Sequence, residues 1–262
     1  MGRRLGQHFL TDPGILDRIV EAIHPGVADT VIEVGPGRGS LTTRLAERVG
    51  HVIAIERDRV LAQRLTSVDL KHNVKVVQGD ALKIEWTQLA PGESDLTSFK
   101  VVGNIPYYIT APLIEKALSP PAPDVVVYLV QEEVADRICA EPGSRRYGAL
   151  TVGIQVVAMV EKLFRVKAGS FRPPPKIDSA VVRFVPRLNP LVDWAELAGF
   201  RRFMAQIFSR RRKQILGVLS AVSSRSRSEM TSILDDLSLR PSDRPEVVPP
   251  ESFVELFHIL SR

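Results

Sequence analysis

The 262-residue chain carries a single cysteine, Cys139. That excludes an internal disulfide, CxxC zinc or redox motifs, and cysteine-ligated clusters. Its five histidines are scattered, and no pair has the HExxH spacing of a metal site. No run of ~18 apolar residues is present to form a transmembrane helix. The stretch Met1-Gly2-Arg3-Arg4-Leu5-Gly6-Gln7-His8 lacks the apolar core of a secretory signal. These absences predict a metal-free cytoplasmic protein with no membrane partner. Internal repeats are also absent, and low complexity is confined to Ser-Ser-Arg-Ser-Arg-Ser at 223–228.

What is present is enough apolar material, 44% of residues, to bury a sizeable core. The net charge of +5 says little, but its distribution says more. Residues 201–213 hold Arg201, Arg202, Arg210, Arg211, Arg212 and Lys213 with no acid among them. Such a block suits either a polyanion or a solvated helix face.

Along the first two-thirds of the chain, short apolar runs alternate with helical patterns. Strands are expected at 30–34, 51–55, 74–77, up to Gly103, and at 125–130. Helices are expected at 40–49, 60–67 and from Pro112, where a first-turn proline is tolerated. This alternation predicts an α/β fold with a parallel sheet covered on both faces. The segment 150–159 fits helix or strand equally. The run 180–185 reads as a strand paired antiparallel with 163–166. After a linker at 186–190, helical patterns at 194–208 and 251–260 predict a small helical domain. The expected division is therefore 1–186 and 187–262.

Three features fall at the carboxyl ends of successive predicted strands, where open α/β sheets bind ligands. Glu33-Val34-Gly35-Pro36-Gly37-Arg38-Gly39 is a strand-to-helix turn in which Gly35 and Gly37 permit close backbone approach. Its GxGxG spacing differs from the GxGxxG of dinucleotide sites, which disfavours a nicotinamide dehydrogenase. Glu56 is placed to accept hydrogen bonds from both ribose hydroxyls, the alternative being a surface acid beside Arg57. Asp80 can accept from an adenine amino group or act as a helix N-cap.

Asn104-Ile105-Pro106-Tyr107-Tyr108 follows the next strand. An adenine amino nitrogen is a poor nucleophile because its lone pair is delocalised into the ring. The Asn104 side-chain carbonyl and the backbone carbonyl of Ile105 or Pro106 can accept its two protons. Pro106 makes the turn rigid without adding a donor, and Tyr107 can stack on the base. In Phe171-Arg172-Pro173-Pro174-Pro175-Lys176, Phe171 is expected on the other base face, with Arg172 and Lys176 toward phosphate. A proline-rich connector with a buried Phe is the alternative.

Together these motifs resemble those of the small-subunit ribosomal RNA adenine dimethyltransferases. The matching pieces are Gly6-Gln7-His8-Phe9-Leu10, the turn at 33–39, Ile55-Glu56, Gly79-Asp80-Ala81, Gly103 through Tyr108, and the run from Phe171 to Val182. The resemblance implies a Rossmann-like class I methyltransferase fold: a mostly parallel seven-stranded sheet with helices on both faces, plus a small C-terminal all-helical domain. It implies S-adenosylmethionine as methyl donor and methylation of two adjacent adenosines in the 3′-terminal hairpin loop of small-subunit (16S) ribosomal RNA, within an assembling 30S subunit and by a monomer. It assigns His8, Leu10, Gly35, Gly37, Glu56, Asp80, Ala81 and Asn104 to the cofactor. Asn104 also orients the amine, with Pro106 in the same loop, and Tyr107 and Phe171 stack the base. It assigns Arg210, Arg211, Arg212 and Lys213, with Arg172 and Lys176, to RNA. Many relatives carry Asn at the position of His8. Two other readings compete: a macrolide-resistance type large-subunit RNA methyltransferase, disfavoured by the triple proline, and a non-catalytic ribosome assembly factor.

Overall fold

The computed structural model describes residues 8–67, 70–89, 96 and 98–261. Gly6 and Gln7 of the N-terminal motif lie outside the described residues. In chain order the elements are β1 (Phe9–Leu10), α1 (Pro13–Ala22), β2 (Thr30–Val34), α2 (Ser40–Arg48), β3 (His51–Glu56), α3 (Arg59–Ser67), β4 (Val74–Gln78), β5 (Lys100–Asn104), α4 (Thr110–Leu118), β6 (Val125–Gln131), α5 (Glu132–Ile138), α6 (Ala149–Gln155), β7 (Ala158–Val166), β8 (Phe171–Arg172), β9 (Ser179–Pro186), α7 (Trp194–Phe208), α8 (Ile215–Val222), α9 (Arg227–Asp236) and α10 (Pro250–Leu260).

Among the described residues the strands form a seven-stranded sheet in the order β4-β3-β2-β5-β6-β9-β7 and a two-stranded sheet, β1-β8. Strands β2 through β6 pair in parallel, and β9 lies antiparallel to β6. From β2 the chain builds outward through β3 and β4, then crosses back to place β5 on the other side of β2. The switch point of the sheet therefore lies between Val34 and Asn104, at the carboxyl ends of β2 and β5.

Alternation along the buried strands sends side chains to both faces. Val31, Val52, Val102 and Val127 pack in one cluster with Leu16 and Ile19 of α1 and Leu41 and Leu45 of α2. Their neighbours Ile32, Ile53, Val101 and Val126 are equally buried, so the opposite face is covered too. The start of α1 follows from its sequence: Asp12 accepts the Ile15 N–H at 3.1 Å, and Pro13 occupies the first turn, where a missing N–H leaves no bond unmade. Helix α4 begins at Thr110, not at Pro112. The proline still lies in the first turn, among the N–H positions that have no intrahelical partner.

The chain divides into two compact units: the described residues up to Ala135 with Val160–Pro186, and Asp136–Met159 with the residues from Arg187 onward. One division falls between Pro186 and Arg187, and 136–159 group with the helical unit. The ambiguous run at 150–159 is α6 followed by the start of β7. Within the helical unit, α6 packs against α7, and the Tyr147 hydroxyl donates to the Val248 carbonyl at 2.9 Å. Ser226 and Glu229 form a reciprocal capping box at the start of α9. No helix among the described residues is long and apolar enough to cross a membrane.

Candidate active site

A cleft of about 350 Å³ opens at the switch point, lined by the carboxyl ends of β2, β3, β4 and β5 and by the segment 8–10. The turn after β2 carries Gly35, Gly37 and Gly39 at φ +73°, +57° and +84°, a region that side chains with a Cβ rarely enter. At Gly37 space adds a second requirement, because a Cβ would stand 2.9 Å from two ring carbons of Phe9. Phe9 thus lies directly on the glycine turn, and the Arg38 guanidinium caps its ring at 4.6 Å from the centroid.

The segment 8–10 is tied down from two further directions. Phe9 and Leu10 pair antiparallel with Arg172 and Phe171. The Asn104 Nδ2 donates to the His8 carbonyl at 2.9 Å, and the His8 Nδ1 lies 2.8 Å from the Pro173 carbonyl. Leu10 and Ala81 are buried and line the cleft.

Glu56 is no surface acid: it is 5% exposed. Its Oε2 accepts the Gly37 N–H at 3.0 Å and its Oε1 the Asp58 N–H at 2.8 Å. Burial pushes its carboxyl above the usual range, while those backbone bonds oppose the shift. Asp80 caps no helix, since a turn and not a helix follows β4. It lines the cleft, its Oδ1 accepts the Leu82 N–H at 3.1 Å, and Arg57 lies 3.9 Å from Oδ2.

Glu33, to which the sequence reading gives no role, is fully enclosed on the α1/α2 face and lines the same cleft. Burial lifts its carboxyl to about 8, against a 2.6 Å hydrogen bond from the Thr42 hydroxyl and with a contribution from the Glu56 charge. The signal was legible: an acid in an otherwise apolar strand, Thr-Val-Ile-Glu-Val, needs a local reason. Phe9 and Arg38 were also missed, since a ring closing on a glycine turn leaves no spacing rule in the sequence.

Asn104, Pro106 and Tyr107 all line the cleft. The Ile109 N–H donates to the Pro106 carbonyl at 3.1 Å. The Tyr107 hydroxyl lies 2.9 Å from Ser179 Oγ, which holds the ring by its edge.

Phe171 is a correction. It is 0% exposed and packs in the core with Leu10 and Leu16. Residues alternate across a strand, so β1–β8 pairing that presents Arg172 to solvent turns Phe171 inward. In this conformation it cannot stack a base. Arg172 and Lys176 are exposed, although the Arg172 guanidinium donates to the carbonyls of Gly169 and Phe171 at 3.1 and 3.0 Å. In the helical unit, Arg210, Arg212 and Lys213 are exposed in the turn after α7. Arg211 differs: it pairs with Glu246 at 2.8 Å and donates to the Arg145 carbonyl at 2.9 Å.

Comparison with known proteins bears on this arrangement. The family model of the ribosomal RNA adenine dimethylases matches residues 2–261. The chain belongs to that family. A ribosomal RNA small subunit methyltransferase A from Nitrosococcus oceani is 37% identical over 97% of the chain and 94% of the relative. Its namesake from Bordetella pertussis is 39% identical over 97% and 92%. Among solved structures, a dimethyladenosine transferase from Plasmodium falciparum superposes with a TM-score of 0.76 at 26% identity, covering 95% of this chain and 96% of that one. The 23S rRNA methyltransferase ErmE gives 0.73 at 29% identity, covering 97% and 100%. The family member described here has the class I methyltransferase fold and is an S-adenosylmethionine-dependent ribosomal RNA adenine methyltransferase.

Proposed function

We propose that this enzyme dimethylates the exocyclic amino groups of two adjacent adenosines in the 3′-terminal hairpin loop of small-subunit ribosomal RNA, in the cytoplasm and within an assembling small subunit. The observation that carries the reading is the seating of Asn104 at the end of β5, beside the glycine turn and opposite His8. The names borne by the 37–39% identical relatives support the small subunit as target.

The cleft suits S-adenosylmethionine on the chemistry of its donor set. Three glycines in the left-handed region keep backbone free of side chains, and a buried carboxylate, Glu56, waits at the end of β3. Each Glu56 oxygen accepts one backbone N–H and retains a lone pair for a ribose hydroxyl. Asp80 would accept from the adenine amino group, Leu10 and Ala81 would flank the ring, and Gly35 and Gly37 would pass closest to the chain of the cofactor. When bound, the cofactor supplies an electrophilic methyl group on a sulfonium.

The residues of the chain then act by position. Asn104 Nδ2 is occupied by the His8 carbonyl, which leaves Oδ1 as the acceptor for one proton of the target amine. The Pro106 carbonyl already closes the turn to Ile109, so the Ile105 carbonyl takes the second proton. Two acceptors on one amino group favour a more tetrahedral nitrogen with its lone pair directed out of the ring plane. Tyr107, held by Ser179, fixes the plane of the base. No strong base is needed, because the product ammonium loses its proton readily to water. Orientation of this kind can supply several kcal/mol of a barrier.

The test is incubation with labelled S-adenosylmethionine of unmodified small ribosomal subunits and, in parallel, naked large-subunit RNA. Dimethyladenosine confined to the small-subunit hairpin is the expected product. Label in the large-subunit RNA would assign the enzyme to the resistance type, and none in either would favour an assembly factor.

A further inference from the structure

We propose that Arg145 is an RNA phosphate contact, and that the loop 141–146 and the basic turn after α7 form one face for an RNA backbone. The inference rests on the reading of small-subunit ribosomal RNA as substrate and adds to it a residue outside the basic run 201–213. Arg145 stands 66 positions ahead of Arg211 in the chain.

Loop and turn are fastened to each other inside the helical unit. The Arg211 Nη2 donates to the Arg145 carbonyl at 2.9 Å and pairs with the Glu246 carboxylate at 2.8 Å. The Gly143 N–H donates to the Glu246 carbonyl at 2.7 Å. Glu246 thus holds the loop directly through its backbone and again through Arg211. Gly143, at φ +90°, turns the chain, and the Ser144 carbonyl accepts the Tyr147 N–H at 3.1 Å. Tyr147 is fully buried, and its ring centroid lies 6.0 Å from that of Phe208, the last residue of α7. The loop is therefore pinned on both sides of Arg145, next to the start of the turn 209–213.

The charges left over decide what the face can bind. Arg146 is paired with Asp136 at 2.6 Å and Arg211 with Glu246, so the protein offsets these two itself. Arg145, Arg210, Arg212 and Lys213 are exposed, and no ion pair engages them among the described residues. Glu141, the acid of the loop, stands at its opposite end, where its carbonyl accepts the Ser144 N–H at 3.1 Å. A face with uncompensated positive charge favours a polyanion. The bond to Arg211 uses the Arg145 main-chain carbonyl, so the guanidinium keeps its donors for a phosphate, which it can take bidentately. With its backbone already fixed, Arg145 loses less freedom on binding than an arginine on a free loop would.

The experiment measures the affinity of wild type, Arg145→Ala, Arg145→Lys and Arg146→Ala for naked, unmodified small-subunit ribosomal RNA over a series of salt concentrations, with the dissociation constant for S-adenosylmethionine beside each. Because only the side chain changes, the carbonyl bond to Arg211 and the place of the loop are kept. Arg145→Ala should reduce the slope of log affinity against log salt by about 0.7–0.9 and weaken binding about fivefold at 0.1 M salt, with cofactor affinity within about twofold of wild type. Arg145→Lys should restore the slope, since lysine also neutralises a phosphate, and Arg146→Ala should change it by less than ~0.3. A slope for Arg145→Ala equal to that of wild type would overturn the contact. So would equal losses in Arg145→Ala and Arg146→Ala, which would reduce Arg145 to a part of the general field of the protein. With wild type bound to the RNA, either result removes the contact alone; if wild type does not bind this RNA, the small-subunit reading falls, and the contact with it.

Discussion

The side-chain amide of Asn104 donates to the backbone carbonyl of His8 across 2.9 Å. One bond therefore joins the loop after β5 to the segment that lies on the glycine turn. Both segments line the same cleft, so two of its walls are fixed to each other.

The first prediction concerns Gly37. A methyl group there would meet the Phe9 ring at 2.9 Å on a backbone at φ +57°. The contact resolves only by moving the Phe9 ring, and the left-handed backbone adds strain of its own. Gly37→Ala is expected to weaken S-adenosylmethionine binding by about tenfold, in line with strain of ~1–3 kcal/mol, as read by titration calorimetry. Unchanged affinity would show that Phe9 does not close the cleft.

A second prediction concerns pH. Glu33 sits at about 8 in the fold and near 4.5 when exposed. Between those values the folded state holds a proton that the unfolded chain has released, so stability falls as pH rises through that window. Glu33→Gln removes the dependence. The melting-temperature difference, variant minus wild type, should be more positive at pH 8 than at pH 5. A difference independent of pH would mean that Glu33 is ionised throughout.

The basic turn after α7 gives a third prediction, with an internal control. Arg210, Arg212 and Lys213 are exposed, and their joint replacement by alanine should flatten the slope of log affinity for RNA against log salt by about 2, at ~0.7 for each phosphate no longer neutralised. Arg211 is engaged by Glu246 and the Arg145 carbonyl. Arg211→Ala is expected to cost at most about 1 kcal/mol of stability and to change the salt slope less than any of its neighbours. Equal slopes for the triple variant and wild type would mean a merely solvated cluster.

Sequence and structure agree where the signal is local. The buried strands announce themselves because parallel strands covered on both faces must be apolar throughout, as Val-Val-Val-Tyr-Leu-Val of β6 is. Glu56 and Asp80 could be placed because strand ends in an open α/β sheet converge on one edge. Phe171 could not, since its orientation depends on pairing with Phe9–Leu10, a strand far upstream in the chain, and one residue of register decides which face it takes. The grouping of 136–159 with the helical unit was equally hidden: a contiguous stretch of sequence gives no sign that it packs with residues beyond 187.

The measurement that tests the account most directly is the single-turnover methylation rate of Asn104→Ala on unmodified small ribosomal subunits, beside its dissociation constant for the subunit. If Asn104 orients the amine, the rate falls by about 10²-fold while subunit affinity stays within about twofold. A rate that falls only as far as subunit affinity does would contradict catalysis by orientation and leave Asn104 as a binding residue.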